Sequence, residues 1–320
     1  MKKKILWLLK LIVGIILLVF IYRNVYQHEQ FLNAFVDAAW LNVLFGLILL
    51  IPNYFIQFLK WRYILRQALK DIPDSLVLKS LLFGSTLGFI TPGNLGELAR
   101  SLYFKGHSRL LITGLNIIDK LSGMIIFISF GLLAMNWLIY MTSGWSKLMS
   151  VSLIIFDFLL VSIVWILALN PRILQRIFQP RDEKSAWRKN ISELLSSLNY
   201  FNRFSILKLL WYNMIWFAVI VLQYHILILA FTDVSALQSF WAVSATLFTK
   251  IVLPISVGDL GIREGAAVFY YSLLGVKKTA AFNASMFIFL INFMIPALAG
   301  SYFVFKLRWE SNSKNKKHLE

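Results

Sequence analysis

The sequence predicts an all-α integral membrane protein, a polytopic bundle of about six full spans and two broken or re-entrant helical hairpins. Three observations lead to this fold class. Hydrophobic residues make up 59% of the 320 residues and charged residues only 15%, far from the balance of a soluble domain. The apolar residues form serial runs long enough to cross about 30 Å of hydrocarbon. Two further apolar segments are interrupted at their centres by the same polar motif.

Six apolar runs are predicted to cross the membrane completely, and together they make 1–320 a single transmembrane domain. The runs are 5–22, 40–59, 113–140, 148–169, 209–231 and 280–305. Residues 1–22 have the basic start and apolar core of a signal peptide, but no small-residue cleavage site follows, so we predict an uncleaved span. Tryptophans near the predicted span ends, Trp61 among them, are interpreted as anchors in the interfacial aromatic belt.

The interrupted segments, 76–108 and 239–276, share the pattern Pro-x-x-Leu/Val-Gly-Glu/Asp-Leu followed by arginine. The pattern starts at Pro92 in the first copy and at Pro254 in the second. Proline removes a backbone donor and a charged side chain is costly in hydrocarbon, so neither copy suits a lipid-facing helix. Two interrupted hydrophobic segments at related positions are typical of a transporter with a site near the bilayer midplane.

The formal net charge of +17 indicates membrane orientation, because the basic residues lie in loops between spans and no nucleic-acid-binding motif occurs. The loop 170–208 and the tail 306–320 are rich in lysine and arginine, whereas 23–39 and 232–238 are poor in them. The positive-inside rule therefore puts both termini on the cytoplasmic side of the cell membrane. The loop 170–208 is either an interfacial amphipathic helix on anionic lipid heads or a solvated linker.

The same rule favours hairpins for the two interrupted segments. A single crossing by 76–108 would place the basic residues before and after it on opposite faces, which a hairpin open to the cytoplasm avoids. The segment 239–276 follows a charge-poor loop, so its hairpin should enter from outside. The two hairpins would then form an inverted repeat, whereas two full crossings would raise the span count to eight.

The first motif copy is a candidate site for an anionic head group. Broken helix ends present backbone N–H groups to an anion, and Arg100 would strengthen a phosphate site. The alternative is a pair between Glu97 and Arg100 within one helix, with glycines for packing. Because the pattern recurs, we favour binding. The candidate residues are Pro92, Gly93, Gly96, Glu97 and Arg100.

The second copy and one polar stripe complete the candidate site. In the aligned pattern Asp259 matches Glu97, and Arg263 matches Arg100 with one residue inserted. Asp119 shares a helical face with a stripe of polar and small residues, which either pairs with the motif charges or caps the helix at the interface. The stripe contains Asn116, Asp119, Lys120 and Gly123. The candidate site residues here are Asp119, Lys120, Pro254, Gly258, Asp259, Gly261, Arg263 and Glu264.

Other polar residues in the spans have ordinary interpretations. The hydroxyls of Thr246, Thr249 and Ser256 could reach a head group, although such hydroxyls more often satisfy the backbone of their own helix. Asp157 and His225 each stand alone in a predicted span. For each of them we predict an interhelical hydrogen bond and not a role in proton relay.

No enzyme signature is present. The sequence has no His-Glu-x-x-His, no Gly-x-Ser-x-Gly, no Walker loop and no dinucleotide fingerprint. Cysteine is absent, which excludes disulfides and cysteine-ligated metals. We therefore predict no catalytic residue, no metal and no cofactor. A membrane transferase acting on a lipid phosphate stays open as the alternative, since Glu97, Asp119, Asp259 and Glu264 could include a general base.

Three motifs in order carry a resemblance to a known family. They read Thr-Pro-Gly-Asn-Leu-Gly-Glu-Leu-Ala-Arg at 91–100, Asp-Lys-Leu-Ser-Gly at 119–123 and Leu-Pro-Ile-Ser-Val-Gly-Asp-Leu-Gly-Ile-Arg-Glu-Gly at 253–265. The chain resembles the lysylphosphatidylglycerol synthase transmembrane region family, also called flippase-like proteins. Where that family often has Asp-Arg, this chain has Asp119-Lys120, which keeps the charge but loses the bidentate fork.

The resemblance implies a flippase or transporter for an anionic or aminoacylated phospholipid, or for a lipid-linked intermediate. Arg100 and Arg263 would contact the phosphate, while Glu97 and Asp259 would contact a cationic group or act as a gate. The chain ends at residue 320 without the lysine-transferring domain of two-domain members, so lysine transfer is not expected. Expected partners are membrane phospholipids and a lipid-modifying enzyme, with no nucleic acid. The oligomeric state stays open.

Overall fold

The computed structural model describes residues 19, 38–91, 93–142, 147–180, 185–254 and 259–317, and every regular element in these ranges is helical. The α-helices are α1 (Trp40–Ile48), α2 (Leu50–Ala68), α3 (Asp74–Phe89), α4 (Arg109–Thr142), α5 (Lys147–Ala168), α6 (Pro171–Phe178), α7 (Ala186–Ser196), α8 (Arg203–Ile228), α9 (Ala236–Val252), α10 (Ile262–Leu273), α11 (Lys278–Phe289) and α12 (Ile295–Lys317). Two 3₁₀ segments, Leu95–Tyr103 and Ser197–Tyr200, and one π-helical turn, Leu290–Met294, complete the set.

Among the described residues, five helical segments are long and apolar enough to cross a membrane. They are Trp40–Ala68, Arg109–Thr142, Leu148–Ala168, Arg203–Ile228 and Lys278–Leu307. These segments correspond to the second through sixth predicted spans, so the prediction of an all-α polytopic membrane protein is confirmed. The first predicted span, 5–22, lies outside the described residues apart from Val19.

The first interrupted segment is a hairpin made of α3 and the 3₁₀ segment Leu95–Tyr103. The two arms are antiparallel, because Gly88 lies against Glu97 while Gly84, one turn earlier, lies against Arg100. A Cβ atom added to Gly84 would lie 2.6 Å from Cγ of Arg100, and one added to Gly88 would lie 2.8 Å from Cγ of Glu97. The two glycines therefore form a groove on α3 that receives the charged side chains of the returning arm.

The second interrupted segment is also a hairpin, made of α9 and α10. The hydroxyls of Thr249, near the end of α9, and Tyr270, in the second half of α10, are 2.9 Å apart. Near its base Nε2 of Gln238 donates to the carbonyl oxygen of Leu274 at 3.5 Å. The residue farther along α9 contacts the earlier residue of α10, so the two helices run antiparallel and the chain reverses between Val252 and Ile262.

The two hairpins enter the bundle from opposite ends. At one end Arg66 of α2 pairs with Asp74, the first residue of the first hairpin, at 3.1 Å. At the other end the amide of Ala39, just before α1, donates to the carbonyl oxygen of Ala230, just before the second hairpin, at 2.9 Å. Helices α1 and α2 form one 29-residue segment between these contacts, about 44 Å long at 1.5 Å per residue. The two hairpins therefore have opposite orientations in the bundle, as predicted.

The basic loop predicted at 170–208 contains α6 and α7. Helix α6 leaves Ile173, Ile177 and Phe178 exposed, as an interfacial amphipathic helix does. Helix α7 packs on the start of α4, where a Cβ atom on Gly114 would lie 2.5 Å from the carbonyl oxygen of Leu194. The loop is therefore helical, and the pattern predicted around 191–198 falls in α7, which packs on the bundle, and in the 3₁₀ segment that follows it. Contact with anionic lipid heads stays a prediction.

Candidate functional site

The tips of the two hairpins touch inside the bundle. A Cβ atom added to Gly93 would lie 3.1 Å from Cβ of Pro254, and Nδ2 of Asn94 donates to Oδ2 of Asp259 at 3.3 Å. The two copies of the motif therefore face each other, although they are 165 residues apart in the chain. Of the predicted site residues, Pro92 and Gly258 lie outside the described residues, as does the hydroxyl residue Ser256.

The backbone of the tips indicates a different register of the repeat from the predicted one. Asn94 has φ 55° and Asp259 has φ 57°, a left-handed conformation that Asn and Asp tolerate better than most residues. This shared conformation aligns Gly-Asn-Leu-Gly at 93–96 with Gly-Asp-Leu-Gly at 258–261. Asp259 is then the counterpart of Asn94, and the predicted match between Asp259 and Glu97 is wrong. The predicted match between Arg263 and Arg100 is wrong as well, because this register aligns Arg263 with Leu98.

The first half of the site is a network of ion pairs around Arg100, which is only 3% exposed. Its guanidinium donates from Nη1 to Oδ2 of Asp119 at 3.2 Å and from Nη2 to Oε2 of Glu97 at 3.3 Å. Lys60 of α2 pairs with Oδ1 of Asp119 at 2.8 Å, and Lys120 pairs with Oε2 of Glu97 at 3.0 Å. The polar stripe of α4 thus pairs with the motif charges, one of its two predicted roles.

Short side chains and backbone bonds hold the 3₁₀ segment in place. Nδ2 of Asn116 donates to the carbonyl oxygen of Glu97 at 2.6 Å, and the amide of Gly96 donates to Oγ1 of Thr91 at 2.6 Å. A Cβ atom on Gly96 would lie 2.0 Å from the carbonyl oxygen of Leu87. Only glycine fits at this position, because the neighbouring group is backbone and cannot swing aside.

The second half of the site surrounds Arg263, which is 1% exposed. The guanidinium donates to Oε1 of Glu264 from Nε at 3.0 Å and from Nη2 at 2.5 Å. The other oxygen of Glu264 accepts the amide of Gly261 at 2.7 Å, which caps the start of α10. Lys250 pairs with Oδ2 of Asp259 at 2.9 Å. Glu264 therefore neutralises Arg263 and fixes the helix that carries it.

Aromatic rings cover the faces of both arginines. The guanidinium carbon of Arg100 lies 5.3 Å from the ring centre of Trp61, and that of Arg263 lies 5.2 Å from Phe289 and 5.0 Å from Phe293. Such cation–π contacts offset part of the desolvation of a buried cation. Trp61 is 0% exposed, so its predicted role as an interfacial anchor is wrong.

Both halves line one cavity of about 270 Å³. Its charged lining residues, among the described ones, are Lys60, Glu97, Arg100, Asp119, Lys120, Lys250, Asp259 and Arg263. Five cations face three carboxylates, so the lining carries a formal charge of +2. Two buried guanidinium atoms, Nε of Arg100 and Nη1 of Arg263, have no hydrogen-bond partner among the described residues. A cavity whose lining has more cations than carboxylates suits an anion such as phosphate.

A wall of amide side chains closes another side of the cavity, and sequence reasoning missed it. Asn53, Gln57 and Asn292 line the cavity. Oδ1 of Asn53 accepts from Nε2 of Gln57 at 2.8 Å and from Nε1 of Trp216 at 2.9 Å. Buried Gln223 accepts from Nδ2 of Asn292 at 2.7 Å. The available signal was spacing: Asn53, Gln57 and Lys60 fall on one face of α2, at intervals of four and three.

The remaining polar residues of the spans have structural roles. The hydroxyls of Thr246 and Thr249 donate to carbonyl oxygens one turn earlier in α9, at 2.7 and 2.9 Å, and neither residue lines the cavity. Nδ1 of His225 lies 3.0 Å from Oγ of Ser239, on a neighbouring helix. Asp157 accepts a hydrogen bond from an asparagine of α4. The interhelical interpretation of both lone ionisable residues is confirmed.

Comparison with known proteins identifies the family. The model of the lysylphosphatidylglycerol synthase TM region matches residues 7–300, a range that includes both hairpins and every charged residue of the cavity. No curated protein and no solved structure matches the chain. The chain belongs to the lysylphosphatidylglycerol synthase TM region family, a family of membrane proteins related to lipid handling.

Proposed function

We propose that the protein moves a phospholipid, anionic or aminoacylated, between the leaflets of the cell membrane while the head group occupies the cavity between the hairpins. One observation carries the proposal: two oppositely directed hairpins meet at a cavity lined by five cations and three carboxylates. Opposed broken helices around a polar midplane site are the arrangement of many secondary transporters.

The depth of the cavity supports this function. Lys120 is the twelfth residue of α4, which begins at Arg109, and therefore lies about 16 Å along it. Arg263 is ten residues before Leu273, the last residue of α10, or about 15 Å from the opposite end. Against a hydrocarbon thickness of about 30 Å, both values correspond to the middle of the membrane. A polar head group crossing the membrane needs such a site.

The distribution of charge supports an orientation. The end of the bundle that holds the base of the first hairpin carries Arg66, Lys70 and the basic residues of 170–208. The opposite end carries Lys277 and Lys278 among its few basic residues. By the positive-inside rule the first hairpin opens to the cytoplasm and the second to the outside. Lipids of the cytoplasmic leaflet would then reach the cavity along the first hairpin, and lipids of the outer leaflet along the second.

The contact between the tips is the proposed gate. Gly93 and Pro254 touch, and Asn94 bonds Asp259. In alternating access, one repeat rocks against the other around a fixed site. A head group would pass when this contact opens, with Arg100 and Arg263 holding the phosphate on either side.

Reconstitution tests the proposal. Phosphatidylcholine vesicles containing a tail-labelled fluorescent phospholipid are treated with a membrane-impermeant quencher, which reports the fraction of label in the outer leaflet. We expect the wild-type protein to move labelled lipid from the inner to the outer leaflet, where the quencher reaches it. Arg100→Gln and Arg263→Gln should slow this movement strongly. Arg66→Gln, a surface arginine outside the cavity, is the matched control. An inner pool that stays protected with every head group would contradict the proposal.

A transferase acting on a lipid phosphate is the alternative. The described carboxylates of the site argue against it, because each one is engaged by lysine or arginine within 3.3 Å and serves as a counterion. Catalysis would need one of them free to accept a proton. A new lipid in the membranes of expressing cells, lost on Glu97→Gln or Asp259→Asn, would favour the transferase.

A further inference from the structure

We infer that the cavity selects a phosphate lipid with an uncharged, hydroxyl-bearing head group and disfavours an aminoacylated, cationic one. The inference rests on the proposed function, since it names the substrate class of the same cavity. Two parts of the cavity carry it: a charged wall with no carboxylate to spare, and an amide wall beside it.

The charged wall offers no free anion to an ammonium group. Glu97 is shared by Lys120 and Arg100, at 3.0 and 3.3 Å, and Asp119 by Lys60 and Arg100, at 2.8 and 3.2 Å. On the other side of the site Lys250 holds the carboxylate of the second hairpin tip at 2.9 Å. Among the described residues, every carboxylate that lines the cavity is therefore engaged by a cation.

An incoming ammonium group would have to displace one of these cations. The displaced lysine or arginine would then lose its partner in a site where the side chains of Arg100 and Asp119 are 3% and 7% exposed. A buried charge without a partner is strongly unfavourable. With Glu264, which pairs with Arg263 from outside the lining, five cations meet four carboxylates, so the site keeps a formal charge of +1. A lysyl head group, which adds positive charge, therefore meets repulsion as well.

A phosphate meets the opposite situation. Arg100 and Arg263, one from each hairpin, both line the cavity. Guanidinium groups bind phosphate through charge-assisted hydrogen bonds. A phosphate in the cavity would be bound by these side chains and would offset the excess positive charge of the site.

The amide wall fits hydroxyl groups. The side chains of Gln57 and Asn292 each carry both a donor and an acceptor, so they can bond a hydroxyl in either direction. Asn53 is already engaged, since its Oδ1 accepts two hydrogen bonds, and it holds Gln57 in place.

Gln223 fixes Asn292 through two bonds: its Oε1 accepts from Nδ2 of Asn292 at 2.7 Å and its Nε2 donates to Oδ1 of Asn292 at 3.2 Å, which leaves Asn292 one N–H and one lone pair. Nε2 of Gln223 also donates to the carbonyl oxygen of Gly46 at 2.8 Å. Asn292 lies in the π-helical turn Leu290–Met294, and such turns are frequent at functional sites.

Two measurements test the inference, and the first does not depend on translocation. The full chain in detergent is incubated with phosphatidylglycerol, lysyl-phosphatidylglycerol or phosphatidic acid, and bound lipid is quantified by native mass spectrometry. We expect phosphatidylglycerol to bind at least about tenfold more tightly than its lysyl derivative. Equal or tighter binding of the lysyl lipid overturns the inference.

The amide wall has its own variant. Asn292→Leu is expected to weaken binding of phosphatidylglycerol more than binding of phosphatidic acid, whose phosphate carries no glycerol head group. Arg66→Gln serves again as the surface control. If Asn292→Leu weakens both lipids by the same factor, the amide wall does not read the hydroxyls and that half of the inference falls.

The second measurement repeats the vesicle assay with the same three lipids. Faster translocation of phosphatidylglycerol than of the lysyl lipid supports both the function and the selectivity. Translocation of all three at one rate supports the function and overturns the selectivity. Selective binding without translocation of any lipid contradicts the proposed function while the inferred head-group preference stands.

Discussion

Replacing Arg263 by methionine should destabilise the protein and abolish transport for two separable reasons. Arg263 and Glu264 are 1% and 0% exposed, and the variant removes the two hydrogen bonds, at 3.0 and 2.5 Å, that neutralise the carboxylate. Glu264 keeps only the amide of Gly261 at 2.7 Å and the hydroxyl of Ser285 at 3.5 Å. Removing one partner of a buried ion pair costs about 3–5 kcal/mol, which we expect for Arg263→Met.

The double variant Arg263→Met with Glu264→Gln separates the two effects. Glutamine has no charge to leave unpaired and can still accept the amide of Gly261 through its side-chain oxygen. We expect the double variant to lie within about 1–2 kcal/mol of the wild type, since only hydrogen bonds and cation–π contacts are lost. Transport should remain absent, because the cavity has lost a cation that faces the head group.

Equilibrium unfolding in mixed micelles, followed by circular dichroism, measures the stability of each variant, and the vesicle assay measures its transport. We expect the free energy of unfolding to decrease from the wild type to the double variant and further to the single variant. A single variant as stable as the wild type, or a double variant no more stable than the single one, would refute the assignment of Glu264 as the counterion. A double variant that transports normally would refute the role of Arg263 in binding.

Two further variants test the packing. Gly96→Ala should lower stability by about 1–3 kcal/mol, because its Cβ atom would lie 2.0 Å from the backbone oxygen of Leu87. Gly106→Ala is the control, since its Cβ atom would have nothing within 4 Å and only the strain of the left-handed backbone is added. Equal losses of thermal stability in the two variants would contradict this packing. Asn136→Leu should lower the free energy of unfolding by about 1–3 kcal/mol, because it leaves Asp157, which is 6% exposed, without its hydrogen-bond donor. Asp157→Asn should lower it by less in the same unfolding assay. The reverse order would contradict the assigned hydrogen bond.

The architecture follows from features that the sequence displays openly. Long apolar runs have few structural solutions in a membrane, and basic residues mark the sides of the bilayer, so the spans and the opposed hairpins could be predicted. The register of the repeat could not, because both alignments share the same glycine and leucine letters. The left-handed backbone of Asn94 and Asp259 distinguishes the two alignments, and it depends on how the tips pack.

The site was predictable in its charges and not in its neutral groups. Arg100 and Glu97 attract attention because ionisable residues are rare in hydrocarbon. Asn53 and Asn292 do not, since an isolated amide in a span is usually satisfied by a neighbouring helix. Trp61 was misread because α2 continues to Ala68, beyond the predicted end of the span at residue 59, which leaves the ring inside the bundle.

A disulfide between the hairpin tips tests the central claim, that the contact between the two motif copies gates a head group through the membrane. The chain has no native cysteine, so Gly93→Cys with Pro254→Cys gives a single possible bond. The Cβ atoms at these positions would be 3.1 Å apart, against about 3.8 Å in disulfides. We predict that the oxidised variant stops translocating lipid in vesicles and that a reducing agent restores translocation. Translocation at the same rate in the oxidised and reduced forms would contradict the claim.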